Sequence, residues 1–221
     1  MKVKLFSQTK AAEEFEEDFE NAIELIAYCA RVSNPSNQFS NETAERLVRY
    51  LIKHKHWSPL EMASATLEIE TTRDIARQLL RHRSFYFQEF SQRYADPTTD
   101  LDFVLREARL QDQKNRQNSI ETDNEELQHQ WDAAQQHVIE AAKKAYQWAI
   151  NNGIAKEQAR AVLPEGNTVS RLYVHGTLRS WVHYIELRSE NGTQKEHREL
   201  ARACAEAISK IFPMVDEFVS K

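Results

Sequence analysis

Glycine is scarce in this 221-residue chain, with only four, at positions 153, 166, 176 and 192. Neither GxGxxG nor GxxxxGKS/T can be assembled from them, which excludes a dinucleotide held by its phosphates in a Gly-rich turn. Cysteine is scarcer still. Cys29 and Cys204 lie far apart in apolar helical contexts and read as small buried side chains in a reducing compartment. There is no run of about 18 apolar residues, so no membrane span is expected. The first residues, MKVKLFSQTK, lack the apolar stretch of a secretory signal, and a cytoplasmic protein is expected. Basic charge is in deficit too, 29 Lys and Arg against 34 Asp and Glu, for a net charge of −5. That balance argues against a general nucleic-acid binder and still allows a local basic site for one small anion.

What is present suffices for a core. At 41% hydrophobic residues the chain reads as one domain over 1–221, with a polar surface excursion at 106–126. Residues 3–6 suggest a short strand, followed by helices near 19–31 and 42–54, the second with Asn41 as N-cap. Pro59 breaks HWSPLEM into a loop. ASATLEIE (63–70) alternates, with Ala65, Leu67 and Ile69 on one face of a strand. Thr71 and Thr72 are positioned to cap a helix from Arg73 to His82, DPTTD (96–100) is a turn, and 101–105 suggests another strand. A long helix is expected over 122–152, ending at Gly153. Along it Leu127, Trp131, Ala134, Val138, Ala141, Ala145 and Trp148 form an apolar stripe that packs on the core or on another subunit. A short helix ends at Pro164. Then come a strand at 168–176 and helices at 177–188 and 194–211.

Residues 81–94 read RHRSFYFQEFSQRY. On a helix Gln78, Arg81 and His82 share a side. In an extended chain beyond Ser84, Phe87, Glu89, Ser91 and Arg93 share another. Guanidinium forks suit a phosphate dianion, and Gln, Ser and Arg bond the carbonyls of a pyrimidine. Glu89 is the only acid between 75 and 95, so most of these cations lack a local partner. Phe85, Tyr86 and Phe90 read as core or interface rings. Two other readings stand beside a nucleotide enzyme. One is a single-stranded nucleic-acid binder using the Arg/aromatic patch. The other is a metal-dependent hydrolase, for which no carboxylate cluster is spaced. His54 and His56 read as a solvated loop, not a metal pair.

Arg81-His82-Arg83, seven residues, then Ser91-Gln92-Arg93 resembles the RHR-x7-S-x-R signature of flavin-dependent thymidylate synthases. ARVS (30–33), HWSPLE (56–61), ARAVLP (159–164) and RSWVHYIELR (179–188), with Gln78 and Gln194, follow that family's order over residues 30–194. The resemblance implies a homotetramer of α/β (α+β) fold, an antiparallel sheet flanked by long helices, with active sites shared between subunits. It implies FAD, NADPH as reductant and methylenetetrahydrofolate as carbon donor, converting dUMP to dTMP. By position, the implied dUMP contacts are Gln78, Arg81, Glu89, Ser91, Arg93, Arg160 and Arg188. The implied FAD contacts are Ser33, Ser58, Glu61, His82, Arg83, Gln88, Glu89, Thr177, Arg179, His183 and Gln194. Arg188 and His56 are implied in catalysis, Arg188 against the pyrimidine and His56 beside the flavin. Met62, Thr177 and His183 depart from the commonest family pattern. No partner in nucleic acid or membrane and no metal is implied.

Overall fold

The computed structural model describes residues 1–220. In chain order the strands and helices are β1 (Lys2–Gln8), α1 (Ala22–Ala30), α2 (Ala44–Lys53), β2 (Ser64–Thr72), α3 (Arg73–Leu79) and β3 (Tyr86–Glu89). There follow a single turn α4 (Pro97–Asp100), β4 (Arg109–Gln111), β5 (Ser119–Glu121), α5 (Glu125–Asn151) and α6 (Lys156–Ala159). β6 (Val169–Thr177), α7 (Leu178–Ser189) and α8 (Lys195–Ser209) complete the order. The main sheet runs β1-β2-β6-β3 and every pairing in it is antiparallel. This is the α+β architecture expected.

The alternating pattern sets the sheet's two faces. Ala65, Leu67 and Ile69 of β2, with Leu172 and Val174 of β6, are buried against α7 and α8, whose Trp181, Ile185, Leu200 and Ala201 complete the core. The Trp181 indole donates to the Ala65 carbonyl at 3.1 Å, so the largest core ring leaves no polar atom unpaired. The outer face carries charge, including the Arg171–Glu70 pair, which gives Arg171 the ion-pair role. Phe85 closes the core edge by lying on Gly176. A Cβ there would sit 2.3 Å from the Phe85 ring, so only glycine admits the contact.

Several local expectations are corrected. Residues 101–105 form no strand, only an isolated bridge from Phe103 to Thr168. Asn41 does not cap α2. Thr43 occupies that position without a side-chain cap, and the Asn41 amide donates instead to the Asp18 carbonyl at 2.7 Å. α1 is capped by Asn21, which accepts from Ile23 and Glu24 N–H groups. Thr72 precedes α3 but its hydroxyl donates to Asp74 Oδ1, not the reverse cap. α3 ends at Leu79, three residues short of His82. Cys29 is only half-buried, while Cys204 is buried, and both thiols are free.

The 106–126 segment holds the β4–β5 hairpin, and its Arg106 and Arg109 reach back to Glu196. α5 ends as expected. Gly153, at φ +76°, takes the left-handed C′ position and the N–H groups of Gly153 and Ile154 bond the Ile150 and Ala149 carbonyls. The expected stripe, however, is not the buried one. Gln135, Ile139, Ala142, Tyr146 and Ala149 are buried, while Trp131, Val138 and Trp148 are exposed. Both sets step by four and three residues, offset by one. An alanine-rich helix therefore carries two stripes of the same period, and periodicity cannot rank them.

Candidate active site

α3 delivers the central residues. Beyond Leu79 the chain turns tightly, with the Arg81 N–H bonded to the Gln78 carbonyl and the His82 N–H to that of Leu79. Phe85 then anchors the turn on β6, so residues 80–84 are held at both ends. Within this turn Arg81 and Arg83 are exposed and make no side-chain hydrogen bond or ion pair among the described residues. Two unpaired guanidinium groups on a fixed turn have the chemistry to hold an anion.

Behind them, Arg188 on the last turn of α7 donates from Nε to His82 Nε2 at 2.9 Å. His82 must therefore carry its own proton on Nδ1. Burial, then the Arg188 charge, push its pKa down to about 4. His197 on α8 is fully buried, and burial, then Arg188 and His82, bring it down to about 3. Both are neutral near pH 7. In the unfolded chain both titrate at the ordinary 6.5. As pH falls below that value the unfolded state takes up protons that the folded state refuses, so stability is full above 6.5 and is lost below it. Between roughly pH 7 and pH 5 the loss is expected to be about 2 kcal/mol from His197, with a smaller part from the less buried His82. Denaturant midpoints across that window, above the range of carboxylate titration, check this. A flat profile would contradict it.

The second half of the 81–94 segment is held by groups that sequence reasoning missed. Glu89 Oε1 accepts from Ser170 Oγ at 2.7 Å and lies 3.6 Å from the buried Arg73 guanidinium. The available signal is that Ser170 occupies the buried register of β6, where a polar residue needs a partner. Arg93 pairs with Glu157 at 3.2 Å, and the backbone carbonyl of Glu157 accepts from Arg160 Nε at 3.3 Å. Arg93 and Arg160 are thus brought together by one residue. The Ser91 hydroxyl accepts weakly from the Arg93 N–H at 3.4 Å, and nothing basic activates it.

A third group gathers at the start of α7. Thr177 is the N-cap, accepting from the Ser180 N–H at 3.2 Å, so its hydroxyl is used inside the fold. Arg179 pairs with Glu61, and the His183 ring meets Trp57 edge-on at 4.6 Å. This brings Ser58, Glu61, Thr177, Arg179 and His183 to one end of the sheet, away from Arg188, which faces α3. Ser33, Gln88 and His56 are exposed and bond none of the other candidates. His56 is nonetheless directed. α2 ends in a left-handed C′ residue, Lys55 at φ 59°, and the N–H groups of Lys55 and His56 bond the Ile52 and Leu51 carbonyls. A non-glycine residue there costs about 1 kcal/mol of strain.

Two cavities, of about 640 and 560 Å³, lie elsewhere. Lys2, Glu70, Arg106 and Arg171 border the first, and Thr9, Phe19 and Ile23 the second. No candidate ligand residue lines either. Arg81, Arg83, Gln88, Ser33 and His56 are exposed, while Gln78, His82, Glu89 and Arg188 are half-buried.

An antiparallel sheet backed by helices, with free arginines beside a neutral histidine pair and no Gly-rich turn, defines an α+β protein suited to a phosphorylated ligand. The family model described as "Thymidylate synthase complementing protein" matches residues 15–214. A probable flavin-dependent thymidylate synthase of Paramecium bursaria Chlorella virus 1 is 51% identical over 215 residues, 97% of each chain. The flavin-dependent thymidylate synthase of Synechocystis is 50% identical over 191 residues, 86% of each. Among solved structures, the UMP/dUMP methylase PolB from Streptomyces cacaoi, bound with 5-Br dUMP, superposes with a TM-score of 0.78 at 26% identity. That match covers 98% of this chain and 93% of the other. The chain belongs to the flavin-dependent thymidylate synthase family.

Proposed function

We propose that the chain methylates dUMP to dTMP in the cytoplasm, with FAD as cofactor, NADPH as reductant and methylenetetrahydrofolate as carbon donor. The observation that carries this is the fixed turn after α3, where Arg81 and Arg83 stand free beside the neutral His82–Arg188 pair. Both ligands are anionic, and the donor set fits both. Arg83, Arg179, His183, Ser58 and Gln194 offer donors suited to a pyrophosphate and ribityl chain, and Gln88, Glu61 and Ser33 extend that surface. Gln78, Arg81, Ser91, Arg93 and Arg160 offer donors to a nucleotide, with Glu89 between the two. The bound 5-Br dUMP of the Streptomyces methylase supports the choice of nucleotide.

FAD, when bound, supplies the hydride chemistry. The chain's own part is to orient and polarise. Arg188 holds its charge toward the pyrimidine, where negative charge develops during carbon transfer. His82, by accepting from Arg188 Nε, fixes the plane of that guanidinium and leaves its other N–H groups for the substrate. His56, thrust out by the Lys55 turn, is offered to the folate side. A thiol route is not supported: burial pushes both Cys29 and Cys204 up, so neither is an activated nucleophile.

A homotetramer with shared sites accounts for two features. The candidate residues line neither of the two cavities described above, and α5 exposes Trp131, Val138 and Trp148 as an apolar stripe. The purified protein is expected to be yellow, and NADPH is expected to bleach it without oxygen. A protein that binds no flavin, and instead binds oligonucleotides with steep salt dependence, would overturn the reading.

A further inference from the structure

A line of hydrogen bonds runs behind the candidate site. The Tyr184 hydroxyl meets His197 Nε2 at 3.1 Å, and His197 Nδ1 meets Gln78 Oε1 at 3.1 Å. Gln78 Nε2 donates to Gln194 Oε1 at 2.9 Å, and Gln194 Nε2 donates to Glu196 Oε2 at 2.9 Å. Arg106, at 3.1 Å, and Arg109 hold the Glu196 carboxylate. Tyr184 and His197 are 1% and 0% exposed, so neither has water as an alternative partner.

The polarity of this line follows from its last member. Burial works against ionisation of Glu196, but hydrogen bonds from Arg109, its own backbone N–H and Gln194, with the Arg106 charge, outweigh it and bring the pKa to about 2. An ionised carboxylate only accepts. Gln194 must therefore turn its N–H groups to Glu196 and its oxygen to Gln78. Gln78 must give an N–H to that oxygen and turn its own oxygen to His197. His197 must donate from Nδ1, and its bare Nε2 must accept from Tyr184. Burial raises the Tyr184 hydroxyl well above its ordinary range, so it stays protonated and can donate. Each amide and the imidazole has one permitted orientation.

We infer that His197 and Tyr184 are positioning residues, which lock the Gln78 amide so that its second N–H, never its oxygen, is presented on the Nε2 side to the ligand. A ligand atom met there must be an acceptor, a pyrimidine carbonyl or a phosphate oxygen. A donor would force the amide over and break the two bonds that Gln78 makes in the line, to His197 and to Gln194. This rests on Gln78 contacting the nucleotide, as proposed above.

Imidazole nitrogen NMR of the flavin-loaded protein tests the lock directly. His197 is expected to be neutral with its proton on Nδ1 from about pH 6 to pH 8. A proton on Nε2, or a cation, would overturn the inference. Binding of dUMP, dCMP and deoxyuridine to His197→Leu then identifies the acceptor. If it is the C4 carbonyl, which dCMP replaces with an amine, the preference for dUMP over dCMP falls roughly tenfold and that over deoxyuridine holds; if it is the C2 carbonyl, which all three share, all three affinities fall together. If it is a phosphate oxygen, the two preferences exchange roles. His197→Asn, which keeps a donor where Nδ1 stood, is expected to restore the preference. Should His197→Leu fail to fold, Tyr184→Phe is expected to fold and to keep the His197 proton on Nδ1, because Gln78 Oε1 still requires a donor there, and a shift of that proton to Nε2 would overturn the inference. Wild-type protein that binds dUMP while His197→Leu changes neither the dUMP affinity nor either preference would refute the lock alone. Wild-type protein that binds no dUMP would refute the nucleotide reading, and the inference with it.

Discussion

Arg188→Ala is expected to lower dTMP formation by about 10²–10³-fold while the protein remains yellow. Arg188 is engaged with a second candidate residue, donating to His82 Nε2. In the proposed mechanism it opposes charge developing on the pyrimidine, and its loss would remove an interaction that strengthens in the transition state. The proposed flavin ligands Arg179, His183 and Glu61 lie at the other end of the α7 face and keep their own contacts. Turnover assays with visible absorbance of the same sample separate the two effects. Loss of flavin from Arg188→Ala would show that the division between nucleotide and cofactor arginines is wrong. A companion change is expected at His82. Arg188 is the second cause of its depressed pKa after burial, so His82 should titrate closer to its ordinary value in the variant.

Arg106→Ala is expected to cost about 3 kcal/mol of stability, read as a lower urea midpoint at unchanged slope. The Arg106 guanidinium donates to Asp74 Oδ1 at 2.7 Å and to the Gly166 carbonyl at 3.1 Å, and faces Glu196 at 3.1 Å. Its side chain is 17% exposed. Removing it leaves two carboxylates short of a partner in a partly dry setting, which is more costly than the pair was worth. Because Glu196 anchors the line to Gln78, dUMP affinity is also expected to fall. A stability loss under about 1 kcal/mol would mean that water takes over the role of the guanidinium.

Arg106 shows what a linear reading misses. It stands in a polar stretch that composition marks as a surface excursion, and nothing within ten residues announces Asp74 or Glu196. His197 is missed for the opposite reason. It sits on the buried face of α8 with Leu200, Ala201 and Cys204, where one histidine among core residues looks like filler. The α5 stripe is a third case, since two sets of equal period compete and only packing chooses between them. Ser91 and Arg93, by contrast, were legible as a hydroxyl and a cation within the basic stretch, Arg160 entered only through the family resemblance, and the fold links the two arginines through Glu157.

Alternation in β2 and the Gly153 stop belong to the sequence alone, because each depends on residues within a few positions of one another. So does the family, through RHR-x7-S-x-R and the order of its landmarks. The pairing of β6 between β2 and β3, the burial of Arg73 and His197, and the direction of every hydrogen bond behind Gln78 were decided only by the tertiary structure. Apart from Tyr184–His197 and Gln194–Glu196, these pairings and hydrogen bonds join residues more than 80 positions apart, and their strength comes from exclusion of water, which no local pattern of residues encodes.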